Sequence, residues 1–594
     1  MAIITIGTGG DFPTLTDAWS AGANNLTDDT LLLLEDIVDP ATAVMNNYSW
    51  TRLTIDLGGH TLSFPSLPAN VYIFKFNTEA TWTVKNGRIV SSGAGFTAPG
   101  AFALVLENLT IRLTTATGGL WAVILSHNGA SLTATNCHFE YASEAIVGIN
   151  HGLISRSTGT AAVSLTRCRL ATCYNGLYGD GLADNVQVLD TSFINCAGNG
   201  IQLKGGGEPT IQGGVIRCRK GFAGQPDSSR IGISFSTPFG VSADALIEGV
   251  GFATNGGSQI YFGRSGDFDQ GTGGTIRGCS FGSDECTYGV VIQANGVVVE
   301  DNVWHGSLSL IHHALMLGND SGTDLGEANR ARGIVVRRNL FRNDDLPEVD
   351  GTYNHHDIVV KADAALIHDN TFQWAKALDF VTIPNFTFVY VKGGADCAVY
   401  NNDFHSTWNG LRLFRLGATN GVNTTNLTIA NNKATGTYEL HFFLNDANQA
   451  TGLAVHQNLV GLSAYEYGVG NFDITQAAWF AGNFTDPNGW QMSWGGDPSL
   501  AGIALSTQGL APVGRHDTAL PDPVIGSATA GWETPAAALA NLTALSRTGV
   551  TLVMARQTAA DEAALDDWML AAIAAGQTWA AGAGAILQID VVAA

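Results

Sequence analysis

A six-residue phrase recurs through the middle of the chain: VEDNVW at 299–304, VRRNLF at 336–341, IHDNTF at 367–372, VYNNDF at 399–404, IANNKA at 429–434 and VHQNLV at 455–460. Each copy opens on an aliphatic residue and carries asparagine in its fourth place: Asn302, Asn339, Asn370, Asn402, Asn432 and Asn458. Most copies add an apolar residue two positions later. The asparagines lie between 26 and 37 residues apart. A self-similar unit of that size, built of short strands and turns, is the mark of a solenoid. The interval varies while the phrase does not. That suits a parallel β-helix, whose corners accept loops of any length, better than a helical repeat of fixed size.

The same column extends outward through Gly58, Gly87, Leu109, Cys137, Cys168, Thr191, Gly214, Val250, Cys279 and Gly482. The expected fold is therefore all-β, a right-handed parallel β-helix of about sixteen coils. A sharp inward corner leaves peptide groups unpaired, and buried ones must find partners. A stacked asparagine can bond its own corner and the asparagine of the next coil, as in the amide ladders of cross-β structures. Cysteine, glycine and threonine are small enough to replace it. The eight cysteines fit this role better than a disulfide framework in so long a chain. Cys137 and Cys168 share the column, and Cys173 and Cys196, five residues further on, should form a second stack. No metal-ligand spacing of cysteine and histidine appears, and no metal is expected there.

Charged residues make up only 14% of the 594 residues, and the net charge is −23. Nucleic acid selects basic surfaces, so it is not the expected partner. A neutral or cation-associated glycan fits, whereas an acidic polymer would need a local basic patch. The first residues, MAIITIGTGGDF, are neither basic nor followed by a long apolar run, so they do not read as an export signal. No run is long and apolar enough to read as a membrane-spanning helix.

Four segments are expected. Residues 1–40 hold a first strand and a short helix (Leu15, Ala18 and Trp19 on one face) that caps the stack. Residues 41–510 form the β-helix, 511–530 a closing linker, and 531–594 a small α/β module. In that module Thr534-Pro535 and Thr558 open helices, and Thr551–Ala555 and 586–592 are strands. Gly10-Asp11-Phe12 with Leu15 and Ala18, followed by Ile55-Asp56-Leu57-Gly58-Gly59-His60, resembles the start of the pectin-lyase-like right-handed β-helix proteins. Pectate lyases, polygalacturonases and phage tailspikes belong to that superfamily. The resemblance covers about residues 1–510. It implies the fold, but not one chemistry, since lyases, hydrolases, esterases and inert binders share it.

After most corner positions comes another strand, often announced by Asn-Gly. Aligning these strands by alternation gives an outward row of Tyr178, Gln202, Ser234, Tyr261, Val291, Met316, Val359, Asp379, Arg412 and His441. A second row holds Asp180, Lys204, Ser236, Gln293, Lys361, Val381, Phe414 and Phe443. Lys361, Asp379, Arg412 and His441 then converge as candidate catalytic residues. Phe414, Phe443, Tyr261 and Gln293 are candidate glycan contacts, since aromatic faces pack on sugar rings and charged groups fix hydroxyls or carboxylates. The alternative is a surface salt-bridge ladder.

Long acidic loops at 318–332 and 342–357 (Asp320, Asp324, Glu327, Asp344, Asp345, Glu348, Asp350, His355 and His356) could supply a hydrolase carboxylate pair or hold calcium. A basic residue beside a neutral histidine would instead suit a lyase. Three functions stay open: a spike on a phage or phage-like virion that binds bacterial surface polysaccharide, a polysaccharide lyase or glycoside hydrolase, and a non-catalytic adhesive solenoid. The first implies a virion-surface location, synthesis in the host cytoplasm without an export signal, and attachment through an adaptor protein. It also implies a homotrimer, buried on exposed Val291, Met316 and Val359.

Overall fold

The computed structural model describes residues 2–460 outside short stretches and the loops 219–229, 236–244, 264–272, 319–329, 343–355 and 375–386. Beyond residue 460 it describes the strands Val524–Ile525, Thr551–Ala555 and Gln588–Val592. The chain divides into two compact units, built chiefly on residues 1–246 and on residues from 247 onward.

Both units are right-handed parallel β-helix, with three strands to a coil. In the second unit, Val335–Arg337 leads into the corner at Asn339, Leu340–Arg342 leaves it, and His356–Val360 closes the coil. Each strand pairs in parallel with its counterpart one coil away: Val336 with Ile367, Phe341 with Phe372, and Ile358 with Val389. The first two strands of each coil form one bent sheet, and the third forms a second sheet.

The corner column stacks in the expected register. Arg169 pairs with Ser192 in the first unit, which sets Cys168 beside Thr191. In the second unit, pairing of Val303 with Leu340, Leu340 with Thr371 and Thr371 with Asp403 sets Asn302, Asn339, Asn370 and Asn402 in line. The backbone N–H and Nδ2 of Asn302 both donate to Oδ1 of Asn339, each at 3.0 Å. The same pair of bonds joins Asn339 to Asn370, Asn370 to Asn402 and Asn402 to Asn432, at 2.9 to 3.0 Å. Nδ2 also reaches back to a carbonyl of an earlier coil, from Asn339 to Val299 and from Asn370 to Val336, at 2.9 Å. The five described asparagines are buried; Asn458 lies outside the described residues. Gly58 is the loosest member of the column. Asp56 pairs with Lys85 but Thr61 with Arg88, so four residues (57–60) turn this corner where two (86–87) do in the next coil.

A left-handed residue precedes the column: Asn86, Asn108, Asn136, Arg167 and Asp190 in the first unit, and Asp301, Arg338, Asp369 and Asn401 in the second, with φ between 48° and 59°. Asparagine and aspartate tolerate this region best. In the first unit these residues make an outer ladder. Asn108 Nδ2 donates to Asn86 Oδ1 at 3.3 Å, and Asn136 Nδ2 to Asn108 Oδ1 at 3.0 Å.

Two residues after the column, aromatic rings stack inside the second unit. Phe252, Phe281, Trp304, Phe341, Phe372 and Phe404 follow one another at centroid distances of 4.6 to 5.0 Å. That is the spacing of parallel strands, so each ring lies on its counterpart and leaves water. The first unit is filled by Phe74, Phe76, Phe96, Phe102 and Trp82. Among the described residues the cysteine side chains are buried and form no disulfide. Cys173 and Cys196 form the expected second stack, their sulfurs 3.6 Å apart, and Cys218 continues it.

The helix expected near the N-terminus spans Leu15–Ser20, with Thr14 as N-cap and Leu15 and Ala18 buried. Trp19 packs on Phe74 and Trp82 at 5.7 and 5.5 Å. The outer edge of the strand Ile3–Ile6 is covered by the turn that follows. Asp11 accepts from the N–H and hydroxyl of Thr5 at 2.8 Å, and the N–H of Phe12 donates to the Thr5 carbonyl. At the other end of the chain, Val524–Ile525, Thr551–Ala555 and Gln588–Val592 form a parallel three-stranded sheet. The two expected helices of the 531–594 module lie outside the described residues.

His138 in the first unit lies 3.0 Å from Arg169 and 3.4 Å from Glu140. Burial, then the charges of Arg169, Arg88 and Arg112, lower its pKa to about 3.

Two predictions follow from these contacts. Asn370→Leu removes the acceptor of the Asn339 N–H and the amide donor to the carbonyls of Val336 and His368 in a dry corner, at about 1–3 kcal/mol per buried group left unpaired. It should lower the denaturation midpoint far more than Cys168→Ala, measured by urea titration; equal losses would contradict the ladder's role. For His138, an unfolded imidazole binds its proton near pH 6.5. The folded one waits until about 3. The unfolded state therefore takes up the proton first, and stability falls with pH through that window. His138→Gln should flatten this part of the stability–pH curve.

Candidate functional site

The third strands of the coils carry the candidate site. Their alternation is interrupted once per coil, because two consecutive residues face the interior. In the first unit the first of the pair is Gly176 or Gly200; a Cβ there would lie 2.4 Å from Phe193 or 2.7 Å from Ile216. In the second unit the pairs are Asp357-Ile358, Phe388-Val389 and Leu413-Phe414, all buried. Asp357 accepts from Trp374 Nε1 at 3.2 Å, and Phe388 packs edge-on against Phe372 at 5.8 Å.

This interruption changes the expected rows. Tyr178, Gln202 and Ser234 do align in the first unit. In the second unit Val291, Met316 and Val359 align as expected, but the next members are Tyr390 and Arg415. In the second sheet His356–Val360 pairs with Thr387–Lys392, whereas the expected strand at 376–381 lies outside the described residues. Asp379 and Val381 lie outside the described residues. Arg412 pairs with Thr387 and His441, in the column of His356 and His313, three residues before the row assigned to it. Phe414 faces the interior, fully buried against Phe404 at 5.3 Å, so it is no glycan contact. Phe443 pairs with Phe414 in the same column.

Val291, Met316, Val359 and Tyr390 form a buried cluster, with Tyr261 and Tyr288 packed on it. They are not exposed, which removes the apolar surface expected to hold a trimer. Around Tyr390 the residues are basic and aromatic. The Arg415 guanidinium lies 4.7 Å and the Lys392 ammonium 5.7 Å from its ring centroid. Cations near a ring at these distances are held by its quadrupole. His356 meets Tyr390 edge-on at 5.0 Å and stacks on His313 at 5.2 Å. Lys361 follows Val360, whose partner Val391 precedes Lys392, so the two lysines are neighbours on adjacent coils. Several coils earlier on the same face, Tyr261 donates to Gln293 Oε1 at 3.3 Å. The site thus keeps Lys361, Tyr261 and Gln293 and gains Tyr390, Lys392, Arg415, His356 and His313.

The missed residues had a signal. VYVK at 389–392 repeats the pattern of IVVK at 358–361, but the KALDFV segment stood in its place in the alignment. Of the acidic loops, the described part holds His356 and Asp357 on a strand. Among the described residues no group of three histidine, cysteine or acidic side chains is arranged to hold a metal ion.

No protein-family model and no curated protein matches the chain. Among solved structures it is similar to the tailspike protein of E. coli bacteriophage HK620 in complex with a pentasaccharide, at 11% identity and a TM-score of 0.36, over 67% of this chain and 74% of that one. It is similar to a PL6 alginate lyase in complex with a trisaccharide, at 11% identity and a TM-score of 0.33, over 83% and 91% of the two chains. It is also similar to tailspike protein 3 of bacteriophage CBA120, at 10% identity and a TM-score of 0.25, over 79% and 57%. At such identities and scores these likenesses decide neither substrate nor chemistry.

Proposed function

We propose that the chain is a β-helical spike protein that binds a bacterial surface polysaccharide through the outer face of its second sheet, and that the sugars met by the second unit are acidic. The observation that carries this reading is the group of Lys361, Lys392 and Arg415 around Tyr390. The chain as a whole carries a net charge of −23. Basic residues gathered on adjacent coils of so acidic a protein oppose its overall field locally, as capture of a polyanion requires. The partly exposed rings of Tyr261 and Tyr288 add apolar faces for sugar rings. Tyr261 and Gln293 offer a hydroxyl and an amide to sugar hydroxyls.

The reading extends to a phage or phage-like particle, with the protein on the virion surface, attached through an adaptor and assembled as a homotrimer. The mass of the purified protein in solution tests the trimer.

A polysaccharide lyase is the second reading. The Arg415 guanidinium near Lys392 and Lys361 favours it over a hydrolase. A guanidinium can neutralise a uronate carboxylate while an unprotonated amine or imidazole removes the neighbouring proton and the glycosidic C–O bond breaks, its oxygen leaving protonated. Asp379, Lys361, Arg412 and His441 remain candidates for such chemistry.

Binding to alginate and polygalacturonate should be saturable and should weaken with added salt, because exposed charge pairs are screened. Lys392→Glu and Arg415→Glu should each lower affinity at least tenfold, read by calorimetry. Binding that ignores salt and both substitutions would remove the site. Incubation with the polymer separates the readings. Shortening with ultraviolet-absorbing unsaturated ends, lost in Arg412→Ala and His441→Ala, supports the lyase. Binding without shortening supports the spike. No binding leaves the adhesive or structural solenoid.

A further inference from the structure

The first unit carries a second constellation on the outer face of its second sheet. Tyr178 and Gln202 are neighbours in one row, on adjacent coils. The Tyr178 hydroxyl donates toward the Asp180 carboxylate, 3.0 Å from each oxygen, and accepts from Lys204 Nζ at 2.8 Å. Asp180 and Lys204 are themselves 3.8 Å apart. Trp121 lies 6.0 Å from the Tyr178 ring, inclined at 49°. Its seat is made by Gly152, where a Cβ would come within 1.9 Å of Trp121 Cζ3. Asn199 Nδ2 donates to Gln202 Oε1 at 3.1 Å and fixes that carboxamide.

Two considerations separate this group from a structural ion pair. The Asp180 and Lys204 side chains are 44% and 35% exposed. A pair so open to water stabilises a fold by about 0–1 kcal/mol at most, so stability accounts poorly for the arrangement. The group is also held rigid before any ligand arrives. The indole rests on a glycine, the phenol is clasped from two sides, and the amide is pinned by its neighbour. Such preorganisation lowers the entropy lost on binding.

We infer that Trp121, Tyr178, Asp180, Lys204 and Gln202 form a separate saccharide subsite that takes an uncharged sugar residue. The inference rests on the reading of the chain as a glycan-binding protein, but not on the basic patch of the second unit. The half-buried indole offers an apolar face to the C–H side of a pyranose. Asp180 accepts from sugar hydroxyls, and Lys204 and Gln202 donate to them. The charges of Asp180 and Lys204 cancel, so the site has no net pull on an anion, and a uronate placed on the indole would meet a carboxylate. Trp121 to Lys204 spans three coil steps, about 14 Å at strand spacing. That is room for two or three sugar rings.

The test titrates the full chain with dextran, galactomannan and arabinogalactan as neutral probes, and with alginate and polygalacturonate as acidic ones, by calorimetry. At least one neutral probe should bind. Trp121→Ala and Lys204→Met should weaken that binding at least tenfold. Tyr178→Phe, which keeps the ring and loses only the hydroxyl, should weaken it less but measurably, with unchanged circular dichroism and melting temperature. Neutral binding that survives all three substitutions overturns the subsite. Acidic probes binding while no neutral probe does also overturns it, and leaves the glycan-binding reading intact. Failure of both classes overturns the two together.

Discussion

Everything in this structure depends on how the backbone is satisfied where each coil turns inward. A corner leaves N–H and C=O groups facing a dry interior, where each unpaired group costs about 1–3 kcal/mol. In the second unit a carboxamide meets that need on several sides at once. Its oxygen accepts from the backbone and the side chain of one neighbouring coil, and its nitrogen reaches a carbonyl of an earlier one. Because the bonds run from coil to coil, the column also fixes register. Strand pairing has a period of two, so a slip of one residue would turn every apolar side chain outward. The asparagine column and the aromatic stack two residues later enforce the same alignment by different physics.

That division of labour leaves the outer faces free to vary. The interior and the corners are committed to stacking, and substitutions there carry a stability cost. Outer positions on the third strands are less committed, apart from the buried cluster of Val291, Met316, Val359 and Tyr390, so polar and aromatic side chains can be set on the others in rows with the spacing of the coils. The two units use this freedom differently. The second gathers positive charge around a tyrosine, whereas the first balances one cation against one anion beside an indole.

The solenoid and its corner register could be read from the residues because the column is periodic and chemically narrow. Asn302 through Asn432 stack where the phrase puts them, and the cysteines at 137, 168, 173 and 196 lie in the two columns expected of them. The outer rows were less legible. Alternation predicts them only if each strand keeps its pleat, and two adjacent inward residues break the pleat once per coil. Where the first of the two is glycine, as at Gly176, the count still came out right. Where it is Phe388 or Leu413, no small residue marks the break. Strict alternation then turns Phe414 outward and puts Arg412 where Arg415 stands. Trp121 left no trace in the pattern, because its seat depends on a glycine one coil away.

The first strand holds a further consequence. A stack of identical rungs has no intrinsic reason to stop, since its terminal rung offers the same open hydrogen-bonding edge that every internal rung uses to recruit the next. The Asp11 carboxylate occupies that edge at Thr5 and sets a negative charge where a foreign strand would have to dock. At this strand the folded-back turn and its carboxylate stand where a further rung would have to pair.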